Sequence, residues 1–248
     1  MSARDRYNLW TTQPRFDAAI REELLQIAED PAEIEDRFYR SLEFGTAGLR
    51  GVIGAGTNRM NIYTVAMAAA GFARDIASKG QAAMDAGVFI SFDSRRMSPE
   101  FARVTACVFA AHGVLARLSD TLRPVPVLSF AIRHYRAAGG VMITASHNPA
   151  AYNGFKAYGP DGGQCPPETA DQIAARMEEI EDPTTVKRGS YEEHLTSGRL
   201  VVIGKELDDA YMKMLSHLAL HRDAVARHAD MKIVYTPLHG SGNVPVRR

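Results

Sequence analysis

An α/β fold on a mixed, mainly parallel sheet is what this sequence predicts, and three observations point to it. Short apolar runs such as Val88-Phe89-Ile90-Ser91-Phe92 and Gly140-Val141-Met142-Ile143-Thr144 alternate with segments of helical period. Hydrophobic residues make up 46% of 248, enough for a sizeable core. Glycine- and proline-punctuated loops follow the apolar runs, as chain reversals over a sheet require.

In chain order, Phe16, Ile20, Leu24 and Ile27 recur at helical spacing after Pro14. Asp30-Pro31 reads as an N-cap with proline at the first helical position, and opens a helix carrying Ile34, Phe38 and Leu42. A glycine-rich stretch follows, Phe44-Gly45-Thr46-Ala47-Gly48-Leu49-Arg50-Gly51. Asn61 is placed to cap a helix bearing Ile62, Val65, Ala69, Phe72 and Ile76, with Gly80 at its end. Residues 88–92 form a strand, Ser98-Pro99-Glu100 starts a helix to about His112, and residues 114–118 form a strand. A helix over 125–135 and a strand over 140–144 come next, then a helix from Pro166-Pro167-Glu168 to about Ile180. Residues 181–198 are polar and read as a surface connection. Leu207, Tyr211, Met214, Leu215 and Leu218 mark another amphipathic helix, and residues 231–235 an apolar strand followed by Thr236-Pro237-Leu238-His239-Gly240-Ser241-Gly242. The expectation is a three-layer α/β/α domain over residues 1–203, with its core at about 43–180 and a helical N-terminal extension. Residues 204–248 are expected to be the cut-short beginning of a second, similar domain.

Composition narrows the partners. Twenty-nine basic and 29 acidic residues cancel, which argues against a nucleic-acid partner but not against a local anion pocket. No apolar stretch approaches the roughly 18 residues of a membrane span, and no apolar core follows the charged N-terminus. A cytoplasmic protein with no membrane partner is expected. The two cysteines, Cys107 and Cys165, form no metal or disulfide pattern, and Cys107 reads as a packing thiol.

Thr144-Ala145-Ser146-His147-Asn148-Pro149 follows a strand directly, where open α/β sheets place ligands. Ser146 beside His147 raises a serine-hydrolase reading. The sequence lacks a G-x-S-x-G elbow here, and adjacent side chains are expected to diverge, so that reading is set aside.

Residues 144–149 instead resemble the phosphoserine loop of the α-D-phosphohexomutases, the phosphoglucomutase/phosphomannomutase family. The resemblance continues through Phe44 to Asn61, through Asp93-Ser94-Arg95-Arg96 with Ser98, and through Arg123-Pro124-Val125-Pro126, where Val125 replaces the usual threonine. Tyr152-Asn153-Gly154-Phe155-Lys156 and Asp161-Gly162-Gly163-Gln164 also match, and the phosphoglucomutase/phosphopentomutase branch is the nearest in pattern.

The resemblance implies that Ser146 carries a phosphoryl group of about −1.5 to −2 charge and touches Mg²⁺ through it. Arg50 and Lys156, taken to lie in glycine-flanked loops, would neutralise that charge. Arg50 would act as a fork and Lys156 as a point charge or proton carrier. His147 would assist proton transfer or contact substrate. Thr46, Gly48 and Asn148 complete the expected substrate contacts, and His239 is read as a junction residue. The resemblance implies a phosphosugar substrate, isomerised through two phosphoryl transfers and a sugar bisphosphate, with glucose 1,6-bisphosphate as activator.

Three motifs expected of the family are absent: the Asp-Gly-Asp-x-Asp-Arg metal loop, Gly-Glu-x-Ser-Gly and Arg-x-Ser-Gly-Thr. The main Mg²⁺ ligands are therefore missing from this chain. The expected protein is an incomplete mutase, inactive alone, that associates with the missing C-terminal domains. The alternative is a non-catalytic phosphate- or phosphosugar-binding module.

Overall fold

In the computed structural model, which describes residues 1–45 and 48–248, six strands form one mixed sheet. The strands are β1 (Leu49–Val52), β2 (Val88–Phe92), β3 (Ala116–Ser119), β4 (Gly139–Ile143), β5 (Tyr152–Tyr158) and β6 (Leu200–Ile203). Their order is β1-β5-β4-β2-β3-β6; β2, β3, β4 and β6 run parallel, and β5 is antiparallel to both β4 and β1. Every residue of β2 and β4 is buried, as unbroken apolar runs in the centre of a parallel sheet require.

Helices α1 (Ala3–Thr12), α2 (Ala18–Leu25) and α3 (Pro31–Phe38) precede the sheet, and α4 (Ile62–Ser78) and α5 (Gln81–Ala86) lead into β2. Between the strands lie α6 (Ser98–Ala111), α7 (Val125–His134), α8 (Pro167–Glu178) and α9 (Tyr191–Thr196); α10 (Lys205–Leu218), α11 (Arg222–Arg227) and α12 (Asn243–Arg247) follow β6. One face of the sheet is covered by α4, α6 and α8, around Phe72, Phe101, Phe109 and Phe155. The other is covered by α7 and α10, around Phe89, Leu128, Ile132 and Leu207. This is the expected three-layer α/β/α arrangement.

The anticipated cap of α4 is present: the Asn61 side chain accepts from Tyr63 N and Thr64 N, and Asn61 N donates to Thr64 Oγ1. The alanine-rich face of α4 lets α8 approach closely. A Cβ on Gly71 would sit 2.7 Å from Ile173 O, so only glycine permits this crossing. Asp30 caps α3 as anticipated. The N-terminal helices build a third core from Tyr7, Trp10, Phe16, Leu24 and Phe38, joined to the main body by Tyr63.

Several expectations are corrected. Residues 3–12 form a helix, and residues 81–86 a further turn and a half. The supposed connection over 181–198 contains α9, and β6 after it becomes the sheet edge beside β3. Residues 231–235 form no strand, because no strand is positioned to pair with them among the described residues. Cys107 and Cys165 are both free and buried, and burial pushes the Cys165 thiol up to about 11. No helix is long and apolar enough to cross a membrane among the described residues.

Candidate functional site

The segment after β4 turns directly into β5, so Ser146 stands at the C-terminal end of the parallel strands, where α/β folds bind ligands. Ser146 is exposed and has φ +57°, the left-handed region. That conformation costs a non-glycine residue roughly 1–3 kcal/mol and persists only where neighbours enforce it. Part of the enforcement is visible. Ser146 N donates to Thr144 Oγ1 at 3.0 Å, and Thr144 Oγ1 donates to Asp93 Oδ2 at 2.6 Å. The other Asp93 oxygen accepts from Ser98 Oγ at 2.9 Å. Asn153, on β5, donates to Ser98 Oγ at 3.0 Å and to Arg96 O at 2.9 Å. The segments after β2 and β4 are thus stitched together by a polar chain that touches the serine. The sequence reading placed these residues in shared motifs but assigned them no roles. The usable signal was a set of polar side chains directly following two fully apolar strands.

His147 Nδ1 lies 3.2 Å from Ser146 Oγ, so the expectation that these neighbours diverge is corrected. The left-handed turn at Ser146 swings the hydroxyl toward the next side chain. Among the described residues no carboxylate bonds the other ring nitrogen, so the orienting partner of a hydrolase triad is missing. Asn148 is half-buried and donates its backbone N–H to Ala145 O at 3.1 Å. Ser146, His147 and Asn148 share one cleft of about 890 Å³, lined also by Asp93–Arg96 and by Pro237–Ser241. The Ser94 hydroxyl donates to His239 O, which brings His239 to this cleft.

Arg50 and Lys156 are on strands, not in loops, which corrects the earlier expectation. In the β1–β5 register, Arg50 pairs with Gly154 and Leu49 with Phe155. Arg50 is exposed and Lys156 half-buried. Burial pushes the Lys156 ammonium below its usual range, and the Arg50 charge adds to the effect. This cation pair does not line the serine cleft, although Met142, the register partner of Lys156 on β4, does. Gly48 has φ +87° and exchanges backbone hydrogen bonds with Gly45 at 2.8 and 3.2 Å. A Cβ there would lie 2.0 Å from Phe155 O, so glycine alone lets the chain at residue 48 rest against β5 beside Lys156. Thr46 lies outside the described residues.

Arg123, singled out by its proline-flanked motif, is buried and forks onto Asp208 at 2.7 and 3.0 Å, tying α10 to the end of the sheet. The implied Mg²⁺ finds no self-sufficient site: no three His, Cys, Asp or Glu side chains cluster among the described residues. Asp93, a carboxylate lining the cleft, is already engaged by Thr144 and Ser98. Mg²⁺ demands near-octahedral oxygen ligation, which one serine oxygen does not supply.

A family model described as phosphoglucomutase/phosphomannomutase, alpha/beta/alpha domain I, matches residues 41–184. A phosphoglucomutase of Staphylococcus saprophyticus is 38% identical over 204 residues, covering 82% of this chain and 36% of its own length. A Schizosaccharomyces pombe protein named "Probable phosphoribomutase" is 39% identical over 228 residues, covering 91% of this chain and 38% of its own. The solved open form of Paramecium pp63/parafusin, a phosphoglucomutase, superposes with a TM-score of 0.62 over 84% of this chain and 41% of that one; at 16% identity it speaks for the fold alone. The chain therefore spans a little over a third of the length of the curated relatives described here. With domain I matched over more than half its residues, the chain belongs to the phosphoglucomutase/phosphomannomutase family.

Proposed function

We propose that this chain is the serine-bearing part of a phosphosugar mutase, with Ser146 as the phosphoryl carrier. The observation that carries the reading is the exposed Ser146 hydroxyl, turned into a cleft by its left-handed backbone and set 3.2 Å from a histidine ring nitrogen. In the forward half-reaction a sugar hydroxyl oxygen bonds to phosphorus while the bond from phosphorus to Ser146 Oγ breaks. The proton leaves the sugar hydroxyl and the serine oxygen regains one. His147 Nδ1 is within reach of that oxygen in either direction. The product is a sugar bisphosphate. Return of its other phosphoryl group to Ser146 completes the isomerisation. Such transfer depends mainly on positioning and charge stabilisation. Arg50 and Lys156 carry positive charge on the β1–β5 pair, outside the lining of the serine cleft, and are proposed to serve the transferred group from there. The reaction needs a cleft closed to water, so the activity of residues 1–248 in isolation is expected to stop at phosphoryl exchange on Ser146.

Residues 1–203 are read as one unit and 204–248 as the opening of the next. In support, the sheet is complete at Ile203, and apolar side chains beyond Leu218 stay exposed. Against it, α10 packs on the first unit's sheet through Leu207 and Asp208, so the break in packing falls after Leu218 rather than at 204. The relatives' names include a phosphoglucomutase and a phosphoribomutase, so the substrate class is proposed as a hexose or pentose monophosphate.

Glucose 1,6-bisphosphate is the probe. Incubation is expected to add one phosphoryl mass to the intact chain, and Ser146→Ala to abolish the gain. Uptake by the alanine variant would remove Ser146 from its role. Tight binding of the bisphosphate without any mass gain would instead support a non-catalytic binding module.

A further inference from the structure

We propose that Arg95 is the positioning residue of the serine segment: it holds Ser146 in its left-handed conformation by gathering the segment's carbonyl oxygens. This rests on the reading of Ser146 as phosphoryl carrier and concerns what aims that carrier.

The Arg95 guanidinium donates along both of its arms. Nη2 bonds Ser146 O at 2.7 Å and Asn148 O at 2.6 Å; Nη1 bonds Pro149 O and Tyr152 O, each at 3.0 Å. The remaining donor, Nε, lies 3.5 Å from Asp93 Oδ2. Four of the five N–H groups of the fork are thereby spent on backbone carbonyls, and the fifth, on Nε, faces the Asp93 carboxylate as an ion pair. Between Ile143 and Tyr152, where β5 begins, the chain forms no helix or strand, so no regular ladder occupies the carbonyls of Ser146 and Asn148; Pro149 O accepts also from Tyr152 N. One planar cation substitutes for that missing ladder, drawing the carbonyls of residues 146, 148, 149 and 152 around itself.

The clamp is itself anchored. Arg95 N donates to Asp93 Oδ1 at 3.0 Å, and Asp93 N donates to Ile143 O at 3.1 Å. Asp93 directly follows β2, so the rigid central strand sets the direction of the arginine, and the arginine sets the serine. A lysine keeps the charge but offers three donors from one point, which cannot span four carbonyls.

Two measurements on the full 248-residue chain test this with Arg95→Lys, and with Arg95→Ala where it folds. Backbone hydrogen exchange over residues 146–152 is expected to accelerate about tenfold or more in Arg95→Lys, with β2 and β4 unchanged. Equal protection in that variant overturns the clamp, and this readout does not depend on phosphorylation. Uptake of phosphate from glucose 1,6-bisphosphate is expected to lose about ten- to a hundredfold in maximal rate, with the half-saturating concentration nearly unchanged. Millimolar guanidinium is expected to restore part of the rate in Arg95→Ala. A half-saturating concentration that rises tenfold at constant maximal rate would make Arg95 a phosphate ligand and overturn the proposal. Wild-type protein that takes up no phosphate would defeat the carrier reading instead, and the exchange measurement would still decide the clamp.

Discussion

Val88-Phe89-Ile90-Ser91-Phe92 and Met231-Lys232-Ile233-Val234-Tyr235 are similar as sequences and opposite as structures. The first is a central strand buried at every position and paired on both sides. The second forms no strand; Ile233 is 78% exposed and Val234 99%. Both runs carry β-branched and aromatic residues that favour strands, so propensity alone does not decide the outcome. A strand exists where its backbone groups find partners and its side chains find a core, and only the first run has both.

The sharpest way to break that comparison is to cut into each run. Phe89→Ala is expected to lower the unfolding free energy by about 3–5 kcal/mol in a urea titration. Val234→Ser should change it by less than about 0.5 kcal/mol. Comparable losses would mean that residues 231–235 are packed in solution. A smaller effect is expected at the α4–α8 crossing. Gly71→Ala places a Cβ 2.7 Å from Ile173 O and should cost about 1–3 kcal/mol, read as a lowered Tm. Brief trypsin digestion should cut first after Arg227 or Lys232, leaving the sheet intact. First cleavage within residues 49–203 would contradict the contrast.

The least effect is the pH response of His112, which caps α6 in the sheet-bearing region. Burial pushes its imidazole below the ordinary 6.5, although Nδ1 lies 2.7 Å from Val108 O. The unfolded chain then binds the proton first as pH falls below about 6.5. The stabilisation from a neutral His112 is complete above that value and is lost toward the depressed folded value. His112→Gln should flatten the fall in Tm over that interval; an unchanged slope assigns it to other groups.

Much of the fold was legible because the relevant signals are local. Asn61 caps its own helix, Asp30-Pro31 opens another, and the uninterrupted apolar runs of β2 and β4 announce burial on both faces. The loop carrying Ser146 was equally readable, as a contiguous motif at a strand exit. β5 was harder, since Tyr152-Asn153-Gly154 looks like a turn; its strand character comes from being held between β1 and β4. β6 is too short to stand out and exists because β3 offers it an open edge.

What the sequence determined by itself was the inventory: the principal helices and central strands, the glycine-rich stretch, and the serine, histidine, arginine and lysine that the proposed chemistry would use. The tertiary structure alone decided how they meet. It paired β1 with β5 across about a hundred residues, bringing Arg50 and Lys156 close enough for one charge to depress the other. It turned Ser146 toward His147, and aimed Arg95 at four carbonyls more than fifty residues away. The physical reason is range. Caps, apolar runs and glycine turns act over a few residues, whereas the angle of a side chain at a sheet's end depends on partners the chain delivers only after it has folded.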